Sequence, residues 1–188
     1  MKIVTATYTS EISHVNNIMH DAYIRLGYCH KQKNGTLPYH TRFSDGESTS
    51  VFLAKDKGRT VGSISLSSYN CGLPLHSIFN REIEKLAVNA PKLVCAWRLV
   101  VLDSCKNKNV SRLLIRKLIE TVALNFGEDT LCLITFYDKQ ERIYKKIFNG
   151  DVIAKATIND DGVFKKGEIG LMSINKFNIR RITRHVTY

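Results

Sequence analysis

The chain has 188 residues, 44% of them apolar and only three of them proline, so it can build a real core and is neither collagen-like, low-complexity nor wholly disordered. Its 28 Lys and Arg against 17 Asp and Glu leave a formal charge of +11, which draws a negative partner: nucleic acid, anionic lipid, a phosphorylated small molecule or an acidic protein. No apolar run reaches the ~18 residues of a membrane helix.

Lys2 to Tyr8 is β-branched and aromatic and reads as a strand. Ser10 is placed to cap a helix from Glu11 to about Leu26, with Ile12, Val15, Ile18, Met19, Ala22 and Leu26 on one stripe and Gly27 ending it. Residues 28 to 50 carry turn residues and no period, the pattern of a long loop that is functional or mobile. Val51–Lys55 and Thr60–Leu66 read as two strands joined by a hairpin at Asp56-Lys57-Gly58-Arg59. A helix follows from Ser77 to about Ala87. Lys92 to Leu102 is the most apolar strand and belongs in the sheet centre. Alternation puts Cys95, Trp97 and Leu99 on one face of it and Ala96 and Arg98 on the other. Ser111–Phe126 is a long helix, Thr130–Phe136 a short strand, and Lys139–Phe148 a helix stopped at Asn149-Gly150. Val152–Ile158 and Gly167–Ile174 close the series as a strand pair around Asp160-Asp161-Gly162. The order predicts a mixed α/β fold, with residues 1–175 as a single domain and 176–188 as a basic tail (Lys176, Arg180, Arg181, Arg184, His185).

Five scattered cysteines without a CxxC suggest neither a disulfide framework nor a zinc site, and six His without HxxxH spacing argue for no metal. Met1-Lys2-Ile3 leads straight into the first strand without the regions of a signal peptide. A reduced, cytoplasmic protein is expected. Cys95 in an apolar strand reads as a small buried hydrophobe rather than as a nucleophile served by His76 or His40. The cationic turn Ser104–Arg112 opens the longer of the two helices that follow central strands, where unpaired N–H groups gather. It reads either as an anion site or as an ordinary loop with solvated lysines. It has no glycine, so it is neither a P-loop nor a dinucleotide fingerprint.

Several segments, in order, resemble one family. Ala22-Tyr23 to Gly27-Tyr28 is similar to R-Y…G-Y, and DGESTSVFLAK with GRTVGSISL to D…s-T-x-V-F-x-A…G…V-G-T-x-R-L. GLPLHSIFNREIEKL is similar to G-L-P-x-x-x-x-F…E-L…L, CAWRLVV to E-V-S-R-L-A-V, Val110–Leu114 to v-x-x-x-L-L, and IYKKIF to F-Y-K-K-L-G-F. Over residues 20 to 175 the chain resembles the GNAT acyltransferase superfamily and, more narrowly, the N-acyl amino acid synthase group, relatives of the acyl-homoserine-lactone autoinducer synthases. It departs from the pattern at Cys95, where the family has Glu, near Ser65, where the family has Arg, and in lacking the glycines of the superfamily's cofactor loop.

The resemblance implies a GNAT-like mixed sheet whose middle strands splay around an acyl thioester. It implies an N-acyltransferase moving an acyl group, in this subgroup often long-chain, from acyl carrier protein or CoA to a primary amine such as an amino acid. No bound cofactor is implied; the phosphopantetheine thioester is a co-substrate. The donor would lie along Val100, Val101 and Leu102, with its phosphate at Lys106, Lys108, Asn109, Val110, Ser111 and Arg112. Tyr144 matches the general acid, with packing as a core aromatic as the other reading. Arg98, the only charge in its strand, would bind the acceptor carboxylate or brace the loop around Asp45; otherwise it pairs with an acid such as Asp45, Glu47 or Glu82. Asp45 would position or deprotonate the amine, or serve as a turn residue before Gly46. Leu73, Leu75, Ile78, Phe79 and Leu86 would form the mouth of an acyl groove or simply pack a helix on the sheet. The alternatives are a short-chain acetyl-CoA N-acetyltransferase, or a basic module that holds nucleic acid or a carrier protein without turnover.

Overall fold

The computed structural model describes residues 1–37, 49–69, 73, 76–90, 92–105, 109–127 and 129–174. They form seven strands, β1 (Lys2–Thr5), β2 (Thr49–Asp56), β3 (Arg59–Ser68), β4 (Leu93–Val101), β5 (Leu131–Tyr137), β6 (Asp151–Ile158) and β7 (Gly167–Ile174). Four helices accompany them: α1 (Thr9–Leu26), α2 (His76–Asn89), α3 (Val110–Phe126) and α4 (Glu141–Phe148). The expected element order is the observed one. The strands make one sheet in the order β1-β2-β3-β4-β5-β7-β6, antiparallel everywhere except between β4 and β5.

Three local expectations are corrected. α1 starts at Thr9, so Ser10 lies inside it and Tyr8 holds the N-cap position without a side-chain hydrogen bond. Glu11 serves that end instead: its carboxylate accepts the Thr7 N–H at 3.0 Å and pairs with Lys55 on β2, and these contacts hold it below the usual carboxylate range. A carboxylate in the first turn ties down the chain entering the helix and suits the positive end of the helix dipole. Leu26, assigned to the buried stripe, is 47% exposed at the last residue of the helix. The hairpin is also tighter than expected, since Asp56 and Arg59 still pair and only Lys57-Gly58 turn, both at positive φ.

The core has two faces. α3 and α4 cover one, where Leu114, Leu118, Ile119 and Val122 pack with Ile64, Ala96, Ile134 and Met172. Each such aliphatic burial contributes roughly 1.5–3 kcal/mol. α1 covers Val51, Leu53 and Val100 on the other face, and α2 brings Phe79 and Ile83 onto Cys95, Leu133 and Leu171. Leu73 and Phe79 are thus core residues, as the packing reading has it, whereas Ile78 is 39% exposed and Leu75 lies outside the described residues. The basic tail 176–188 also lies outside them. Among the described residues, no helix is long and apolar enough to cross a membrane.

Candidate active site

Parallel pairing of β4 with β5 covers only Leu93–Ala96 against Leu131–Ile134. Beyond these rungs β4 continues to Val101 along β3, and β5 continues to Tyr137 along β7. The middle of the sheet therefore parts into a wedge. Leu99 and Val101 on one wall and Thr135 and Tyr137 on the other keep partial exposure although they belong to central strands.

A bulge opens the β4 wall. Ser65 pairs with Trp97 and Ser63 with Val100, so two residue steps on β3 face three on β4. Arg98 absorbs the surplus at φ 55, a left-handed conformation that costs a non-glycine residue about 1 kcal/mol or more. The extra residue reverses the alternation read from the sequence. Cys95 and Trp97 share a face as expected, but Leu99 and Val101 pack against the α3 side and Val100 goes under α1. The Leu102 N–H donates to the Val61 carbonyl at 2.9 Å on the β3 side, so strand alternation aims the Val101 N–H into the wedge.

Arg98, expected opposite Trp97, lies on its side of the sheet. Its guanidinium sits 4.1 Å over the Trp97 ring, and Nη1 donates to Asn16 Oδ1 on α1. Arg98 is 3% exposed and Asn16 5% exposed, so a buried cation is held by a ring face and an amide oxygen. Trp97 is fixed in turn, since its Nε1–H donates to Ser67 Oγ at 2.9 Å and that hydroxyl meets Thr49 Oγ1 at 2.7 Å. The Ser65 hydroxyl, where the family pattern has Arg, is buried and makes no hydrogen bond among the described residues. Asn16 was not anticipated. The available signal was Asn16 and His20 four apart beside the apolar stripe of α1, a polar pair on a buried helix face.

Tyr144 on α4 is 7% exposed; its ring lies 6.1 Å from Phe136 and 5.6 Å from Phe148. Phe136 belongs to the free end of β5, so Tyr144 stands beside the wedge as well as in the core. Burial pushes its phenol above the usual tyrosine range, and Tyr28 adds to the effect. Tyr28 stacks on Tyr137 at 3.7 Å between ring centres, with Tyr23 edge-on to both at 5.7 Å, and closes the far end of β5.

Asn109 precedes α3 at φ 57, and an Arg25–Asp103 ion pair of 2.7 Å ties the turn after β4 to α1. The side chains of Val100 and Val110 are buried in the core, so either could meet a ligand only through its backbone. Ser111 and Arg112 on the first turn of α3 are reachable. Asp45, Lys106, Lys108, His40 and the side chain of His76 lie outside the described residues. Cys95 is 1% exposed and burial pushes its thiol well up, which leaves no thiolate for nucleophilic work.

Residues 14–173 match the family model described as N-acyl amino acid synthase FeeM. The chain belongs to this family. It is an N-acyltransferase with a GNAT-like fold. Among solved structures, FeeM, an N-acyl amino acid synthase from uncultured soil microbes, superposes with a TM-score of 0.77 at 18% identity, covering 98% of this chain and 96% of that one. The CoA-dependent acyl-homoserine lactone synthase MesI gives 0.62 at 17% identity over 100% and 96% of the two chains. NAA60 from Arabidopsis thaliana, solved with a bisubstrate analogue, gives 0.61 at 10% over 92% and 97%. No curated protein sequence matches the chain.

Proposed function

We propose that this FeeM-family chain moves a long-chain fatty acyl group from a phosphopantetheine thioester, on acyl carrier protein or CoA, to the primary amine of an amino acid in the cytoplasm. The observation that carries this reading is the wedge, with β4 and β5 parting after Ala96 and Ile134 beside a bulged backbone. An extended pantetheine arm fits the unpaired edge of Val100–Leu102 as an added strand, and its phosphate would meet the α3 end at Asn109–Arg112 with Lys106 and Lys108 nearby in sequence. The acyl carbonyl then faces the β4 amide that points into the wedge. Residues 1–175 are the working unit in this reading, and 176–188 an appendage. The positive surface serves the donor's phosphates or an acidic carrier protein rather than nucleic acid.

In the reaction the neutral amine attacks the carbonyl, and the C–N bond forms as the oxyanion gains the backbone hydrogen bond, worth ~3 kcal/mol. The C–S bond then breaks, and the thiolate takes a proton from the Tyr144 phenol. The ammonium proton leaves to Asp45 or water, and Tyr144 recovers its own from solvent. Arg98, fixed by Asn16 and Trp97, either faces the acceptor carboxylate or holds the bulge that presents the amide.

The test is thiol release from octanoyl- and palmitoyl-CoA and the matching carrier-protein thioesters with pooled amino acids, with mass spectrometry of the product. An N-acyl amino acid is the expected product. Thiol release from none of the donors would overturn the proposal, and turnover with acetyl-CoA alone would favour a short-chain N-acetyltransferase.

Gly62 adds a second prediction. A Cβ there would lie 2.8 Å from the Val100 carbonyl oxygen and 3.2 Å from Val110, so the glycine lets the first residue of α3 sit on the sheet. Gly62→Ala is expected to lift the α3 end and raise the KM for the CoA thioester by about 10-fold, at a stability cost of roughly 1–3 kcal/mol. Unchanged KM in a destabilised variant would show that the helix end does not meet the donor.

A further inference from the structure

Phe136 and Gly170 face each other across β5 and β7. A Cβ on Gly170 would lie 2.2 Å from Phe136 Cζ and 2.6 Å from Cε2, distances no pair of carbons tolerates. The ring thus lies flat across the glycine and leans towards β7. It occupies the free end of β5, the stretch that has lost β4 as a neighbour, and packs against Tyr144 on the same face. An aromatic ring over a cross-strand glycine is a known way to mend a sheet, but here it also clears one wall. With β7 beneath one edge and Tyr144 packed against it, a ring pushed off the glycine moves away from β7, towards the wedge side of β5.

We infer that Gly170 and Phe136 together set the width of the acyl-thioester cleft, Gly170 as a positioning residue that keeps the ring out of the donor's path and against Tyr144. The inference rests on the proposed function, because the cleft matters only if a thioester enters it. Gly170→Ala forces the ring by more than an ångström towards β4. That shift narrows the passage for the donor and moves the surface on which Tyr144 rests, a scale of misplacement that can cost up to about 10²-fold. Phe136→Leu in the same chain removes the far edge of the ring and makes room for the new methyl.

The test compares wild type, Gly170→Ala, Phe136→Leu and the double variant for KM and kcat with octanoyl- and palmitoyl-CoA, alongside their thermal unfolding midpoints. Thiol release by the wild type settles the proposed function separately. Given that release, Gly170→Ala is expected to raise KM by about 10-fold or more, with a larger loss for palmitoyl than for octanoyl, and the double variant to recover most of it. Unchanged KM in Gly170→Ala overturns the inference, as does a loss that the double variant fails to recover. If Gly170→Ala does not fold, Phe136→Leu with Gly170 intact carries the test. Its widened cleft shifts the palmitoyl-to-octanoyl KM ratio towards the longer chain, and an unshifted ratio overturns the inference.

Discussion

Tyr144→Phe is expected to lower kcat for thioester aminolysis by roughly 10²-fold or more, the usual contribution of a positioned general acid, while the folded state persists. The ring contacts with Phe136 and Phe148 survive the change, so stability should move by about 1 kcal/mol at most. Burial pushes the phenol above its ordinary pKa, which by itself weakens it as an acid. Burial raises a thiol as well, as it does Cys132 in this core, pushed up to about 12, so a leaving thiolate desolvated to a similar degree stays matched to Tyr144. The direction of the shift also fixes a pH dependence. The folded chain favours the neutral phenol, so its contribution to stability is complete below the ordinary tyrosine pKa near 10 and is lost as pH rises through the folded value. Thermal midpoints should fall above about pH 10 in the wild type and fall less in Tyr144→Phe. A variant that keeps full kcat would make Tyr144 a core aromatic and nothing more.

Arg98→Ala is expected to lower kcat/KM by about 10²-fold and stability by roughly 1–3 kcal/mol, because Asn16 Oδ1 is left buried without its charged donor and Trp97 loses the group over its face. Arg98→Gly removes the same guanidinium but relieves the left-handed backbone at φ 55, so it should be more stable than Arg98→Ala by about 1 kcal/mol. Urea unfolding of the two variants checks this, and equal stabilities would mean that the bulge carries no strain. Kinetics separate the two roles of the guanidinium. A rise confined to the acceptor's KM identifies a carboxylate ligand. A fall in kcat with unchanged acceptor KM identifies a brace for the oxyanion amide.

The contrast between Arg98 and Tyr144 shows how far a linear reading reaches. Tyr144 was singled out because IYKKIF resembles the family's motif, while the 3.6-residue helical repeat by itself gave only a core aromatic, and its burial is what the structure shows. Arg98 was legible as an oddity, a lone charge in an apolar strand, but not in its direction. Alternation held through Trp97 and failed after it, because a single inserted residue turns every later side chain to the other face. Nothing local marks that insertion. Its cause lies in the mismatch between β3 and β4, which are far apart in the chain until the sheet forms. The acids Asp45, Glu47 and Glu82 were the natural partners to expect for a buried guanidinium, and nothing in the linear reading pointed to the neutral Asn16, 82 positions away, as one of its partners.

The sequence by itself determined the run of strands and helices, since apolar period and turn residues are properties of neighbours. It also determined the family, through short segments kept in order. Only the tertiary structure decided where the sheet parts, which way Arg98 faces, and that Phe136 rests on a bare Gly170. Each of these depends on contacts between strands brought together from distant parts of the chain, and such contacts exist only once the chain has closed on itself.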